Sequence, residues 1–186
     1  MAITMDERGG RRGNGWRIAG WGAAAALLLA PLVAMQFTRE VNWTSSDFAL
    51  MAAMLGGVGV GVELAVRKSS NLAYRAAFGV ALAAAFFLIV INGAVGIIGS
   101  EREDANLLFG GVILIALIGA IAARFRPAGM ALTMGVAALA QLLVPAIALF
   151  GGLAPRAMVL APEVPIATAV FAGMWLVAGW LFRKAA

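Results

Sequence analysis

The sequence predicts an all-α polytopic membrane protein: a bundle of six transmembrane helices with both termini in the cytoplasm. Three observations lead there. Of 186 residues, 63% are apolar and only 12% charged, against roughly 45–50% apolar in soluble domains. A single soluble core of this length could not bury so much apolar surface, so a second apolar phase must receive it. The apolar residues also fall into six runs of about 20, the length that crosses a hydrocarbon layer of about 30 Å at 1.5 Å per residue. Finally, the basic residues alternate from connection to connection, with eleven of the fourteen Lys and Arg on one side, as the positive-inside rule requires.

The runs lie at about 18–37, 48–66, 76–98, 107–123, 128–150 and 164–182, within one transmembrane domain spanning residues 16–186. Residues 1–15, rich in Gly and Arg, read as a disordered basic cytoplasmic tail. The first run is expected to be a retained helix. It exceeds the 7–15 apolar residues typical of a signal peptide and no small-x-small cleavage site follows it, while Arg11 and Arg12 lack the rest of a twin-arginine signal. Pro31 is expected to kink it. Ahead of the second run, Thr44 and Asp47 have the spacing of a capping box. Ser70 or Asn71 can cap the third helix and Asp104 or Asn106 the fourth. Pro127 and Pro165 sit where a first helical turn accepts proline.

Arg8, Arg11, Arg12, Arg17, Arg67, Lys68, Arg75, Arg124, Arg126, Arg183 and Lys184 mark the cytoplasmic side. Opposite them are Arg39, Arg102 and Arg156 with the acids Glu40, Asp47, Glu101, Glu103, Asp104 and Glu163. The net charge of +5 is therefore topological and does not imply a nucleic-acid partner. Anionic lipid is a candidate partner at the basic turns carrying Arg75, Arg124 and Arg126. Trp16, Trp21, Tyr74, Trp180 and Phe182 fall at the depth of the cytoplasmic interface, and Phe37, Trp43 and Phe48 at the outer one, as aromatic anchors do.

The stretch GGVGVGVELAVR, residues 56–67, looks at first like a phosphate cradle. The third glycine of a dinucleotide loop falls on Val62, and no Lys-hydroxyl pair follows for a phosphate loop. Inside an apolar run, these glycines instead let helix backbones approach, with Gly57 and Gly61 as a G-x-x-x-G pair. Gly93, Gly96 and Gly99 offer the third helix a similar small-residue edge.

Catalytic chemistry is scarce. With no Cys and no His, thiolate and imidazole sites are excluded, including His-ligated haem, most zinc and copper centres and imidazole-dependent triads. No serine in a span has a base, and no two Asp lie in spans. No catalytic residue, cofactor or metal ligand is expected. The polar residues inside the spans are the pointers that remain. Glu63 lies about 22 Å from the outer end of its helix, with Arg67 one turn on, which suits a snorkelling ion pair. Gln141 sits near mid-membrane, one turn before Pro145, which frees its carbonyl. Asn92 is in the outer half of the third span. Glu63, Asn92 and Gln141 together form the candidate intramembrane polar site, either as interhelical hydrogen-bonding groups or as the lining of a small transporter or channel. The acids of the 100–106 loop lack the spacing of a calcium loop, and the nine Met read as soft packing.

The middle of the chain, about 42–152, resembles a family of small uncharacterised bacterial inner-membrane proteins. The resemblance rests on NLAYRAAFG (71–79), NGAVGIIGSE (92–101), ANLLFGGV (105–112) and ARFRPAGMA (123–131). It implies a bacterial inner-membrane location and no particular chemistry. It also leaves the first and sixth spans as additions around a four-helix unit. FGVALA (78–83) aligns loosely with MGVAAL (134–139), as a parallel duplication of two hairpins would. The function expected from these features is that of a non-enzymatic integral protein acting through contacts with itself, as a homo-oligomer, or with a membrane complex.

Overall fold

The computed structural model describes residues 7–39 and 41–186, with the side chains of all but 7–14 and 16. Arg8, Arg11, Arg12 and Trp16 of the sequence reading thus lie outside the described side chains, and Glu40 lies outside the described residues. The elements are α1 (Glu7–Ala34), α2 (Ser45–Lys68), α3 (Leu72–Ala94), a 3-10 turn (Asp104–Asn106), α4 (Leu107–Ala122), α5 (Pro127–Phe150), a short α6 (Arg156–Val159) and α7 (Glu163–Lys184). No strand occurs among the described residues. Six of the helices are long and apolar enough to cross a membrane, so the six-span reading holds.

Helix boundaries follow local chemistry. Thr44 and Asp47 form a reciprocal box: the Thr44 amide donates to Asp47 Oδ2 at 2.7 Å and the Asp47 amide to Thr44 Oγ1 at 3.4 Å. The Asn71 side chain accepts from the amides of Ala73 and Tyr74 and opens α3. Pro127 occupies the first turn of α5. α1 reaches back to Glu7, so residues 7–15, expected to be disordered, are helical. Extending an existing helix needs no new nucleus, and arginine is a good helix former. Pro31 lies inside α1 and does not end it.

The described residues fall into two compact units, the first ending at Val60 and the second Gly61–Ala186. The first holds α1 and most of α2. There, a Cβ at Gly59 would fall 2.7 Å from the Trp21 ring, so Gly59 is where the two helices meet.

The second unit is built around α7, which packs against both α3 and α5, while α4 packs on α5. The sixth span, expected as a peripheral addition, is therefore central. The reason lies in its spacing. Val164, Thr168, Phe171, Trp175, Ala178 and Phe182 are buried, and they recur with alternating steps of four and three. Met130, Met134, Ala137, Gln141, Val144 and Ala148 do the same on α5. Such a four-and-three spacing on both helices is the pattern that suits side-by-side packing. The helices run antiparallel, because a Cβ on Gly179 would lie 3.3 Å from the Ala131 carbonyl oxygen and from Met134 Cβ, and the end of α7 meets the beginning of α3 through Phe182 and Tyr74.

The third span ends at Ala94, not near residue 98, and this corrects the glycine reading. Gly93 lies in α3 with open space at its Cβ, whereas Gly96 and Gly99 fall in the following turn with φ of +74° and +67°. At Gly96 a Cβ would sit 2.5 Å from Ser100 carbonyl atoms, so the turn demands glycine there. Asn106, expected as a helix cap, instead staples this turn. Its Oδ1 accepts from the amides of Ile97 and Ile98, and its Nδ2 donates to the carbonyls of Ile98 and Ser100. The suggested duplication does not extend to the basic turns. Asn71 caps one with its side chain, while Arg124 and Phe125 take positive φ in the other.

The α5–α7 packing predicts that Gly179→Leu lowers the unfolding free energy by about 1–3 kcal/mol, the usual cost of overpacking. Denaturant titration of detergent-solubilised protein measures it. Gly110→Leu on α4, where a Cβ meets nothing within 4 Å, is expected to unfold like the parent.

Candidate functional site

The three candidate polar residues all lie in the second unit, and the structure gives each a different environment. Glu63 forms an ion pair with Arg67 one turn later, with Oε1 3.0 Å from both Nε and Nη2. The arginine side chain is 71% exposed and the glutamate 22%, which is the geometry of a snorkelling pair at a helix end. Asn92 donates Nδ2 back to the Leu88 carbonyl on its own helix at 2.9 Å, while its Oδ1 is buried without a protein partner. Gln141 is completely buried, and neither its Nε2 nor its Oε1 has a protein partner.

Gln141 occupies the middle of the α5 seam. With Gly179 opposite the Ala131 to Gly135 stretch, eight residues along the antiparallel pair bring Gln141 about level with Phe171. It then lies between the levels of Thr168 and Trp175, one turn to either side. The Thr168 hydroxyl and the Trp175 indole N–H are likewise buried and unpartnered. On that register the amide, the hydroxyl and the indole fall within about 10 Å of one another along the helix axis, with no hydrogen bond between them. Together they carry donors and acceptors enough to satisfy one another or a small polar molecule. Sequence reasoning found Gln141 but missed Thr168 and Trp175. Their signal was the four-and-three spacing of α7, which places both on the buried face.

Two cavities among the described residues of this unit do not involve those residues. One, of about 300 Å³, lies between Leu64, Arg67, Lys68, Tyr74, Phe78 and Phe125. The other, of about 890 Å³, is a groove along the outside of α5 and α7. The structure therefore does not gather Glu63, Asn92 and Gln141 around either.

The basic turns are differently employed. Arg75 donates Nε to the Ser69 carbonyl at 2.8 Å and Nη2 to the Val66 carbonyl at 3.1 Å, closing the end of α2 as a C-terminal cation does. Arg124 and Phe125 form the left-handed turn into α5. The Phe125 carbonyl accepts the Tyr74 hydroxyl at 2.9 Å. Tyr74 and Phe182, expected as interfacial anchors, are buried, joined edge-on at 5.4 Å, and packed with Phe78. Trp180 remains exposed, with the Lys184 ammonium 3.8 Å from its ring centre. Of the expected packing glycines in α2, a Cβ at Gly61 would fall 2.8 Å from the Leu82 side chain, and one at Gly57 would meet nothing within 4 Å. In the outer loop Glu101 pairs with Arg102 at 3.7 Å. Among the described residues no three carboxylates come together as a metal site would need.

Compared with known proteins, the chain matches no family model, no curated protein and no solved structure.

An unpartnered amide in a buried seam is destabilising, so Gln141→Met, which keeps the volume and removes both polar atoms, is expected to raise the unfolding free energy by about 1–3 kcal/mol. A chemical-denaturation series on the purified protein reads this directly. A loss of stability instead would mean that the amide has a partner in the folded protein.

Proposed function

We propose that this is a non-enzymatic integral protein of the bacterial inner membrane, with both termini in the cytoplasm, acting through helix contacts with itself or with a membrane complex. One observation carries the reading: α1 has no buried residue over Arg17–Ala34, and Gly20 and Gly22 on α1, with Gly56 and Gly57 on α2, have open space where a Cβ would be. In lipid, helices associate by close packing and not by a hydrophobic force, and glycine is the residue that permits it. The alternation of basic and acidic connections supports the orientation, and the resemblance over 42–152 supports the bacterial setting. Arg124 and Arg126 remain candidates for anionic lipid, while Arg75 has two of its guanidinium nitrogens committed to the end of α2.

A second reading, a small transporter or channel, is favoured by the unpartnered groups of Gln141, Thr168 and Trp175. It draws less support from Glu63, which is engaged with Arg67, and from Asn92, whose amide nitrogen is bonded within its own helix.

Because the chain has no cysteine, a single introduced one reports without background. Gly20→Cys and Gly57→Cys are expected to form oxidative cross-links in native membranes, to a second copy or a companion protein, and Gly20→Leu to weaken those formed at Gly57→Cys. Monomeric protein throughout, with nothing co-purifying, would contradict the proposal.

A further inference from the structure

The groove on the outer side of α5 and α7 has a floor of small residues. Ala131, Gly135 and Gly179 bring the two backbones together, and Leu139, Leu176 and Trp180 form the walls. One end is basic. Arg183 lines it, and Lys184 is held over the Trp180 ring at 3.8 Å. α5 carries no charged residue, and the one acid of α7, Glu163, lies at the far end of that helix, about 30 Å away. The positive charge at the mouth of the groove therefore has no counter-ion on either helix that builds it.

Length distinguishes the possible occupants. From Ala128 to Leu139 the groove runs along twelve residues of α5, or about 17 Å. That is roughly half of a hydrocarbon core of about 30 Å. A transmembrane helix would need a groove running the full thickness, whereas an acyl chain anchored at one interface needs only its own leaflet. An apolar channel one leaflet deep, basic at the interfacial end and edged there by a tryptophan, matches a lipid whose tail is apolar and whose headgroup is anionic.

The geometry points to a specific phospholipid site: an acyl chain of an anionic phospholipid lies in the α5–α7 groove, with its phosphate at Arg183. The site is distinct from the basic turns at Arg124 and Arg126, and it does not depend on the contacts proposed for α1 and α2.

Native mass spectrometry of the full chain, released from detergent with equal amounts of phosphatidylglycerol and phosphatidylcholine of the same acyl chains, tests it. The parent is expected to retain phosphatidylglycerol preferentially. Arg183→Gln should reduce that preference about fivefold, the usual weight of one basic residue near an anionic headgroup, and Arg156→Gln should leave it unchanged. Gly135→Phe fills the groove from a position where a Cβ meets nothing within 4 Å, and should lower retention of both lipids. Equal retention of the two lipids by the parent would overturn the assignment, as would an unaltered preference in Arg183→Gln. If Gly135→Phe left lipid retention intact but abolished a dimer, the groove would belong to a second copy and the lipid assignment would fall.

Discussion

Hydrocarbon offers no hydrogen bonds, and most of this structure follows from that constraint. Every amide and carbonyl within the spans must be satisfied by the chain itself, which leaves the helix as the only element available. The same demand shapes the helix ends. Thr44 with Asp47, Asn71 and Arg75 direct polar side-chain atoms at backbone groups near the helix ends, and Asn106 does the same for the turn after α3. The hydroxyl of Tyr74, the only tyrosine in the chain, is used in the same way, on the carbonyl of Phe125. Polar side chains are few, and several of those near the turns are spent on local closure.

Against that economy the middle of the α5–α7 seam stands out. Small residues elsewhere in this unit let helices approach closely, as at Gly179 and at Gly119, where a Cβ would lie 2.5 Å from the Thr133 side chain. Gln141, Thr168 and Trp175 interrupt the seam with buried groups that have no protein partner. Such groups cost stability. Polar residues at seam positions of paired helices are known to fix register at that expense, and Gln141, at the centre of an otherwise apolar row, is placed to do so.

The sequence revealed the spans well because each depends on a local quantity, the length of an apolar run. The six runs correspond to the six long helices, with most ends displaced by a few residues where caps lay outside the apolar stretch, as at Ser45 and Leu72, and the start of α1 displaced by eleven. Burial was less legible. Composition cannot tell a lipid-facing leucine from a core leucine, so the central place of α7 was missed although its four-and-three spacing was present. Tyr74 and Phe182 have the depth of interfacial anchors but face inward for the same reason. Gly96 and Gly99 illustrate another limit: a glycine that permits helix contact and one that permits a left-handed turn look alike until the helix end is fixed. Of the polar candidates, Gln141 emerged from a mid-span amide alone, whereas its neighbours Thr168 and Trp175 required the register of a second helix.

The central claim is that the connections alternate between two sides of a membrane. The most direct measurement is labelling of single cysteines in intact cells with a membrane-impermeant maleimide. Arg102→Cys in the connection after α3 is predicted to react, and Ser70→Cys in the connection before it to react only after the membrane is opened. Reaction of both from the same side would contradict a span between them, and with it the six-helix account.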